Sequence, residues 1–254
     1  MTRLKDKVAM VTGGGSGIGR AVAMAFAREG AKVAVLGRRA EPLQAVVSEM
    51  EGGTVGGAAV VCDVTTPGDP QRAVEHVEKR FGAIHILVNN AGALSVSTVE
   101  SVTEEEWDRV IATNLKGPFL MCRAVLPAFR RAGGGSIVNV GSVLGLIAMK
   151  DRAAYCASKG GVTLLTKAMA LDHAHEKVRV NCVCPAIVET ELVKDLFGEG
   201  ESGRRARDAR ISTLPLGRFG RPEDVAELAV FLASDESSWM TGTAIPVDGG
   251  LAAY

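Results

Sequence analysis

Three side chains in one short stretch have types and spacing suited to proton chemistry. They are Ser142, Tyr155 and Lys159, within GSVLGLIAMKDRAAYCASKGG, residues 141–161. Tyr155 and Lys159 stand four apart, which on a helix stacks them on one face. An ammonium held beside a phenol favours the phenolate. A phenol so placed can give and take a proton from a reacting oxygen. The Ser142 hydroxyl is a ready donor to a carbonyl oxygen or alkoxide. Taken alone, the pair has a plain alternative, an aromatic ring packed under a lysine stem.

The elements around it alternate. Apolar runs at 7–12, 31–37, 58–64, 84–90, 137–142, 178–184 and 243–250 read as strands. Between them lie helical patterns at 17–29, 41–50, 69–82, 103–131, from the Tyr155 segment to about 175, and 221–234. Thr103 with Glu106 reads as a capping box, and Pro118 and Pro127 should bend or interrupt the long helical region. The stretch 52–57 reads as a loop and 190–215 as a helical excursion. Strands apolar throughout are buried on both faces. Alternated with helices, they predict an α/β chain with a doubly wound parallel sheet of about seven strands. With no linker, repeat or low-complexity run, residues 1–254 read as a single domain.

The first strand–helix junction carries Thr12-Gly13-x-x-x-Gly17-Ile18-Gly19. Glycines let the chain turn tightly and let a pyrophosphate approach the backbone. The helix N-terminus beyond them offers unpaired N–H groups and the positive end of the dipole. That is a nucleotide cradle in the context such a motif requires. An acid at the end of the second strand would bind a free ribose 2′-hydroxyl, and an arginine a 2′-phosphate. Here the sequence is Gly37-Arg38-Arg39. Arg38 therefore favours NADP(H). NAD(H), with two solvated surface arginines, is the alternative; Ser16 adds no second basic group.

Composition removes other classes. The 254 residues carry 29 basic and 29 acidic side chains and are 47% hydrophobic. Zero formal charge argues against a nucleic-acid binder. No run has the length of a membrane span, and MTRLKDKVAMVTGG lacks a signal-peptide pattern. The expectation is a soluble cytoplasmic protein. Cys62, Cys122, Cys156, Cys182 and Cys184 are an odd, scattered set suited to a reducing compartment. Cys182-x-Cys184 lies in a strand pattern without partners at ligand spacing, so core packing is the reading and no metal is expected. His76, His85, His173 and His175 form no cluster.

Taken together, these motifs resemble the short-chain dehydrogenase/reductase family, in its small single-domain branch. The matching segments are TGGGSGIG (12–19), Asp63-Val64, NNAG (89–92), Asn114, Ser142, YCASK (155–159), PAIVET (185–190), GRFGRPEDVAELAVFLAS and VDGG. They cover essentially the whole chain in order. The resemblance implies a Rossmann-type sheet flanked by helices and hydride transfer between a nicotinamide cofactor and a small carbonyl or secondary alcohol. It implies Tyr155 as general acid/base, Lys159 as its partner and a ribose ligand, Ser142 as orienter of the substrate oxygen, and Asn114 as anchor of a proton-relay water. It further implies cofactor contacts from Gly13, Ser16, Gly17, Ile18, Gly19, Arg38, Asp63, the Val64 backbone, Asn90, Ala91 and Gly92. Val188 and Thr190 would hold the carboxamide. One departure is Ala186, where the family usually has Gly; tolerance is expected.

The resemblance does not choose among 3-oxoacyl-carrier-protein reductases and sugar, steroid or small-alcohol dehydrogenases. Residues 93–98, 143–152 and 190–215 should decide the substrate. Lys150, Asp151 and Arg152 read as solvated, and Arg204, Arg205, Arg207 and Arg210 as spread around a helix. A homotetramer is implied, with helices at 103–131 and 153–175 at one interface and 221–250 at another. There Val230, Phe231, Leu232 and Trp239 offer apolar surface. Two other readings are a catalytically silent dinucleotide sensor and the longer epimerase/dehydratase branch. The first conflicts with the intact Asn114, Ser142, Tyr155 and Lys159. The second conflicts with the length of the chain.

Overall fold

The computed structural model describes residues 2–51, 56–194, 197–198 and 200–253. Seven strands form one parallel sheet: β1 (Val8–Thr12), β2 (Lys32–Gly37), β3 (Gly57–Val61), β4 (Ile86–Asn89), β5 (Gly135–Val140), β6 (Val178–Pro185) and β7 (Ala244–Val247). Their order is β3-β2-β1-β4-β5-β6-β7. Every residue of β1 is buried. This follows from its apolar run, because a strand covered on both faces has no place for an alternating pattern.

Helices cover both faces. α1 (Gly17–Arg28), α2 (Ala40–Glu51) and α9 (Pro222–Ala233) pack Phe26, Leu43, Val46, Val225 and Leu232 on one side. α3 (Asp69–Phe81), α5 (Gly117–Ala132) and α6 (Ala153–His173) pack Val74, Val77, Val125, Phe129 and Met169 on the other. The chain winds one way from β1 to β3 and the other way from β4 onward. The carboxyl ends of β1 and β4 therefore part and leave a crevice at the switch point.

Several expectations are corrected. The third strand ends at Val61, not 64, and the fifth runs over 135–140. Part of the 52–57 loop, residues 52–55, lies outside the described residues, as do 195–196 and 199 of the excursion. The rest of the excursion is a short α7 (Glu191–Lys194) and a longer α8 (Gly200–Ile211). The 103–131 region is α4 (Glu104–Ile111), a π-helical turn over Ala112–Lys116, and α5. Thr103 Oγ1 caps α4 by accepting from Glu106 N–H at 3.2 Å. Pro118 has no N–H for the carbonyl four residues back, that of Asn114, and the chain widens there. Pro127 stays inside α5 without breaking it. It and Arg123, whose carbonyl it leaves without a helical donor, are both exposed, so water can take that place. Val230 and Leu232 belong to the chain's own core at 0% exposure, whereas Trp239 is 99% exposed.

Candidate active site

The crevice is built first from glycines. Gly13 and Gly17 have φ of 62° and 51°, which residues with a Cβ rarely adopt. Gly19 needs its missing side chain for a different reason: a Cβ there would lie 2.2 Å from Gly13 O and 2.5 Å from Asn90 Nδ2. The turn is pinned to β4. Asn90 Nδ2 donates to the carbonyls of Thr12 and Gly13 at 3.0 and 3.2 Å, and the N–H groups of Asn90 and Ala91 donate to Thr12 Oγ1 at 2.9 and 3.0 Å. Ser16, the N-cap of α1, makes no side-chain cap bond. Gly17 and Ile18 in the first turn line the crevice, so their end of the helix is open to an anion. A cradle that a Cβ would fill, at a helix N-terminus, fits the pyrophosphate of a dinucleotide.

Two cavities continue from this turn and share Gly13, Ser16, Ala91, Gly92 and Ala93. One, about 370 Å³, is lined by Arg38, Arg39, Asp63, Val64 and Arg109. Arg38 and Arg39 are exposed at the end of β2. The Asp63 carboxylate accepts from Thr65 N–H at 2.9 Å and Thr65 Oγ1 at 2.7 Å. Burial pushes its pKa up, but these bonds and the charge of Arg38 outweigh that and hold it below the usual carboxylate range. The Val64 side chain is buried against the π turn, where a Cβ on Gly117 would come within 2.7 Å of it. Only the Val64 main chain is left for a ligand.

The other cavity, about 290 Å³, brings together Ser142, Tyr155, Lys159, Val188 and Thr190. Lys159 is 5% exposed. Its ammonium donates to Val140 O at 2.8 Å and stands 5.7 Å from the centroid of the Tyr155 ring. Ser142 Oγ accepts from Leu144 N–H at 3.1 Å and faces Pro185 O at 3.5 Å. Asn114 is 1% exposed in the π turn. Its amide closes a ring with Ala93, accepting from N–H at 2.7 Å and donating to O at 2.8 Å, and donates to Ser158 Oγ at 3.1 Å. Asn114 Oδ1 and Lys159 Nζ lie 3.5 and 3.9 Å from the point where a Gly92 Cβ would stand. Asn114 and Lys159 thus converge on the strip of wall that Gly92 leaves bare.

The loop after β6 closes this end. Gly220 binds it from both sides, donating to Ile187 O at 2.9 Å and accepting from Glu189 N–H at 2.8 Å. Val188 is buried between these bonds, and Thr190 approaches the face of Gly17, whose Cβ would lie 3.1 Å from the threonine methyl. Ala186 donates to Val247 O at 3.2 Å, and its φ is not positive. Its Cβ therefore carries no backbone strain.

All the residues expected at the site line the two cavities except Gly19 and Asn114, the latter buried behind the wall. Sequence reasoning missed the Thr12 hydroxyl, which fixes Asn90 and Ala91, and Arg109, which lines the cavity of Arg38 and Asp63 from α4. Nothing in the spacing signals Arg109, because it depends on how α4 packs against α6. Cys182 and Cys184 are core residues as expected, with sulfurs 3.7 Å apart. Their burial sets the room beside Gly141, where a Cβ would come within 2.6 Å of Cys182 Sγ. Among the described residues no group of His, Cys, Asp and Glu is arranged to hold a metal, and no helix is long and apolar enough to cross a membrane.

A doubly wound sheet with a glycine cradle at its switch point, opening onto a serine, a tyrosine and a lysine, defines a dinucleotide-dependent oxidoreductase as the class. A family model described as enoyl-(acyl carrier protein) reductase matches residues 13–252. The chain is 42% identical to a 3-oxoacyl-[acyl-carrier-protein] reductase of Thermotoga maritima, over 98% of this chain and 99% of the relative. It is 40% identical to 2-(S)-hydroxypropyl-CoM dehydrogenase 3 of Xanthobacter autotrophicus, over 99% and 98%. It superposes on a short-chain type dehydrogenase/reductase from Mycobacterium marinum with a TM-score of 0.93 at 38% identity, covering 100% of this chain and 98% of that one. The chain belongs to the short-chain dehydrogenase/reductase family. It is an oxidoreductase of small alcohol and carbonyl substrates that uses a nicotinamide cofactor.

Proposed function

We propose that Tyr155 is the general acid/base of an NADP(H)-preferring carbonyl reductase and alcohol dehydrogenase that occupies the whole chain as one catalytic domain. The observation that carries this is the meeting of Ser142, Tyr155 and Lys159 in the cavity that continues from the glycine cradle. When bound, the nicotinamide supplies hydride to a carbonyl carbon or takes it from a carbinol carbon. In reduction the Tyr155 hydroxyl gives its proton to the substrate oxygen, and Ser142 donates a second hydrogen bond to the developing alkoxide. In oxidation the same phenol takes the proton back. The buried ammonium of Lys159 stands beside the Tyr155 ring and, with Val140 O already accepting one of its three donors, has two left for a ribose. Asn114 orders the Ala93 segment beside Lys159, where a water can pass protons to the lysine.

Gly13, Ser16, Gly17, Ile18 and Gly19 hold the pyrophosphate in this reading. Asp63 and the Val64 main chain hold the adenine, and Asn90, Ala91 and Gly92 form the wall. Val188 and Thr190 hold the carboxamide. Arg38, exposed at the end of β2 without an acid beside it on that strand, supports the 2′-phosphate preference. We also propose a homotetramer. Exposed Leu164 (66%) and Leu171 (82%) on α6, Phe119 (45%) on α5 and Trp239 (99%) leave apolar surface on both expected interfaces. A cytoplasmic location goes with a nicotinamide supply and free thiols.

The deciding experiment is Tyr155→Phe, assayed at 340 nm on a panel of ketones and secondary alcohols. Cofactor affinity should stay within about twofold while turnover falls about 10²–10⁴-fold. Wild-type turnover in the variant would end the assignment of Tyr155.

A further inference from the structure

The cavity of Arg38 and Asp63 has a third arginine in its wall. Arg109 lines it together with Ala112 and Thr113. These positions are i, i+3 and i+4, which share one face of a helix. Thr113 Oγ1 donates back to the Arg109 carbonyl at 2.8 Å, across that turn. The Arg109 side chain is 53% exposed, yet its head is tethered. Its Nη2 donates to Leu94 O at 3.1 Å. Leu94 follows Ala93, whose N–H and carbonyl are both held by the Asn114 amide and which lines both cavities. The tether therefore keeps the guanidinium beside the segment where the two cavities join.

Local contacts use little of that head. A guanidinium has five N–H donors in a planar fork, and Leu94 O takes one. Glu106, one turn back on α4, stands at 3.9 Å and is partly exposed, so it neutralises little. Arg38 and Arg39 line the same cavity, and among the described residues Asp63 is the carboxylate that lines it with them. Asp63 Oδ1 already accepts two hydrogen bonds from Thr65. Three guanidinium groups to one carboxylate make the cavity a receptor for an anion. They also come from two halves of the molecule. Arg38 and Arg39 follow β2, on one side of the switch point between β1 and β4, and Arg109 follows β4, on the other. An oxyanion held by both sides joins the halves across the crevice.

We infer that Arg109 is a cofactor-binding residue, whose guanidinium takes a phosphate of the dinucleotide from the α4 wall while Arg38 meets the adenosine half from β2. This rests on the adenosine half lying in this cavity, as proposed above. A planar fork can give two parallel N–H donors to one phosphate. Two groups of the dinucleotide carry that chemistry, the diphosphate bridge at the glycine turn and the ribose 2′-phosphate.

The test titrates wild type and Arg109→Gln with NADPH and with NADH, reading binding from the fluorescence of the reduced nicotinamide without turnover. Arg109→Gln should weaken binding roughly 5–20-fold, less than for a fully buried charged hydrogen bond because the head is half-exposed. A loss for both cofactors puts the contact on the diphosphate, and a loss for NADPH alone puts it on the 2′-phosphate; either upholds the site. Salt separates a phosphate contact from a merely structural tether to Leu94. Raising KCl from about 0.05 M to about 0.5 M should weaken wild type more steeply than Arg109→Gln, because screening acts on the charge that glutamine lacks. Unchanged affinity of Arg109→Gln for both cofactors, or a loss that keeps the wild-type salt slope, overturns the contact. Arg38→Ser, titrated alongside, tests the cavity assignment separately. Weaker NADPH binding there, with Arg109→Gln normal for both cofactors, leaves the adenosine half in place and removes Arg109. Normal binding in Arg38→Ser, with a salt-dependent loss in Arg109→Gln, upholds Arg109 and counts against the Arg38 reading alone.

Discussion

Replacing Gly19 by alanine adds one methyl group at the tightest point of the cradle. Its Cβ would stand 2.2 Å from Gly13 O, about 0.8 Å inside the 3.0 Å that real Cβ atoms respect. Neither partner is a flexible side-chain tip. Gly13 O belongs to a turn with φ 62°, and Asn90 Nδ2, 2.5 Å from the new atom, is bonded to two carbonyls of that turn. The turn must therefore open, at about 1–3 kcal/mol for overpacking, with about 1 kcal/mol more for each Asn90 hydrogen bond that breaks. Alanine's better helix propensity returns up to about 1 kcal/mol. With one of the two bonds lost, the balance is about 1–3 kcal/mol, or roughly 2–4 °C in Tm for each kcal/mol in a chain of this size. Binding suffers as well. Moving the N–H groups of the first turn off the pyrophosphate by most of an ångström forfeits at least one charge-assisted bond, about 10–100-fold in cofactor Kd. Thermal melts and isothermal titration with NADPH measure the two effects. Gly160→Ala is the control, since the nearest atom to a Cβ there is 4.0 Å away, and it should be neutral or stabilise by up to about 1 kcal/mol. A Gly19→Ala protein with unchanged Tm and unchanged NADPH affinity would refute the assignment of this turn as a close-packed phosphate cradle.

Arg38→Ser should raise the KM for NADPH about 10–100-fold while leaving that for NADH near its starting value, checked by parallel 340 nm assays; equal loss for both cofactors contradicts a 2′-phosphate contact. Hydrogen bonds from the Arg3 guanidinium and N–H hold Glu29 below the usual carboxylate range. A depressed carboxylate stabilises the fold above its unfolded pKa of about 4.3, and that contribution is lost as the pH falls through the lower folded value. Glu29→Gln should therefore be less stable than wild type in urea at pH 7, with the gap closing as the pH drops below about 4; a gap independent of pH counts against the ion pair. Light scattering should give four times the protomer mass, and Leu164→Glu with Leu171→Glu on α6 should reduce it. An unchanged mass would move the interface elsewhere.

Much of the fold was legible because its signals are local. Buried parallel strands need unbroken apolar runs, and the runs at 7–12, 31–37 and 84–90 gave their strands to within two residues at either end. The glycine cradle and the i, i+4 pair of Tyr155 and Lys159 are likewise set by short spacings. Strand ends were less legible. Cys62 to Val64 read as strand because Cys62 and Val64 extend the apolar run past Val61, yet they leave the ladder once β2 has ended at Gly37. The two prolines could not be told apart in sequence. Pro118 coincides with a π turn and Pro127 does not disturb its helix, a difference that depends on which carbonyl can reach water.

By itself the sequence determined the α/β order, the family, the glycine turn and the pairing of Tyr155 with Lys159 on one helix, since each rests on residue type and short-range spacing. Only the tertiary structure decided which long-range neighbours these residues keep. It set Lys159 against Val140 O, Asn114 against Ala93, and Thr12 against Asn90. It also sent Val230 and Leu232 inward while leaving Trp239 outside. Contacts of that kind depend on the packing of whole elements, and no local pattern of residues encodes them.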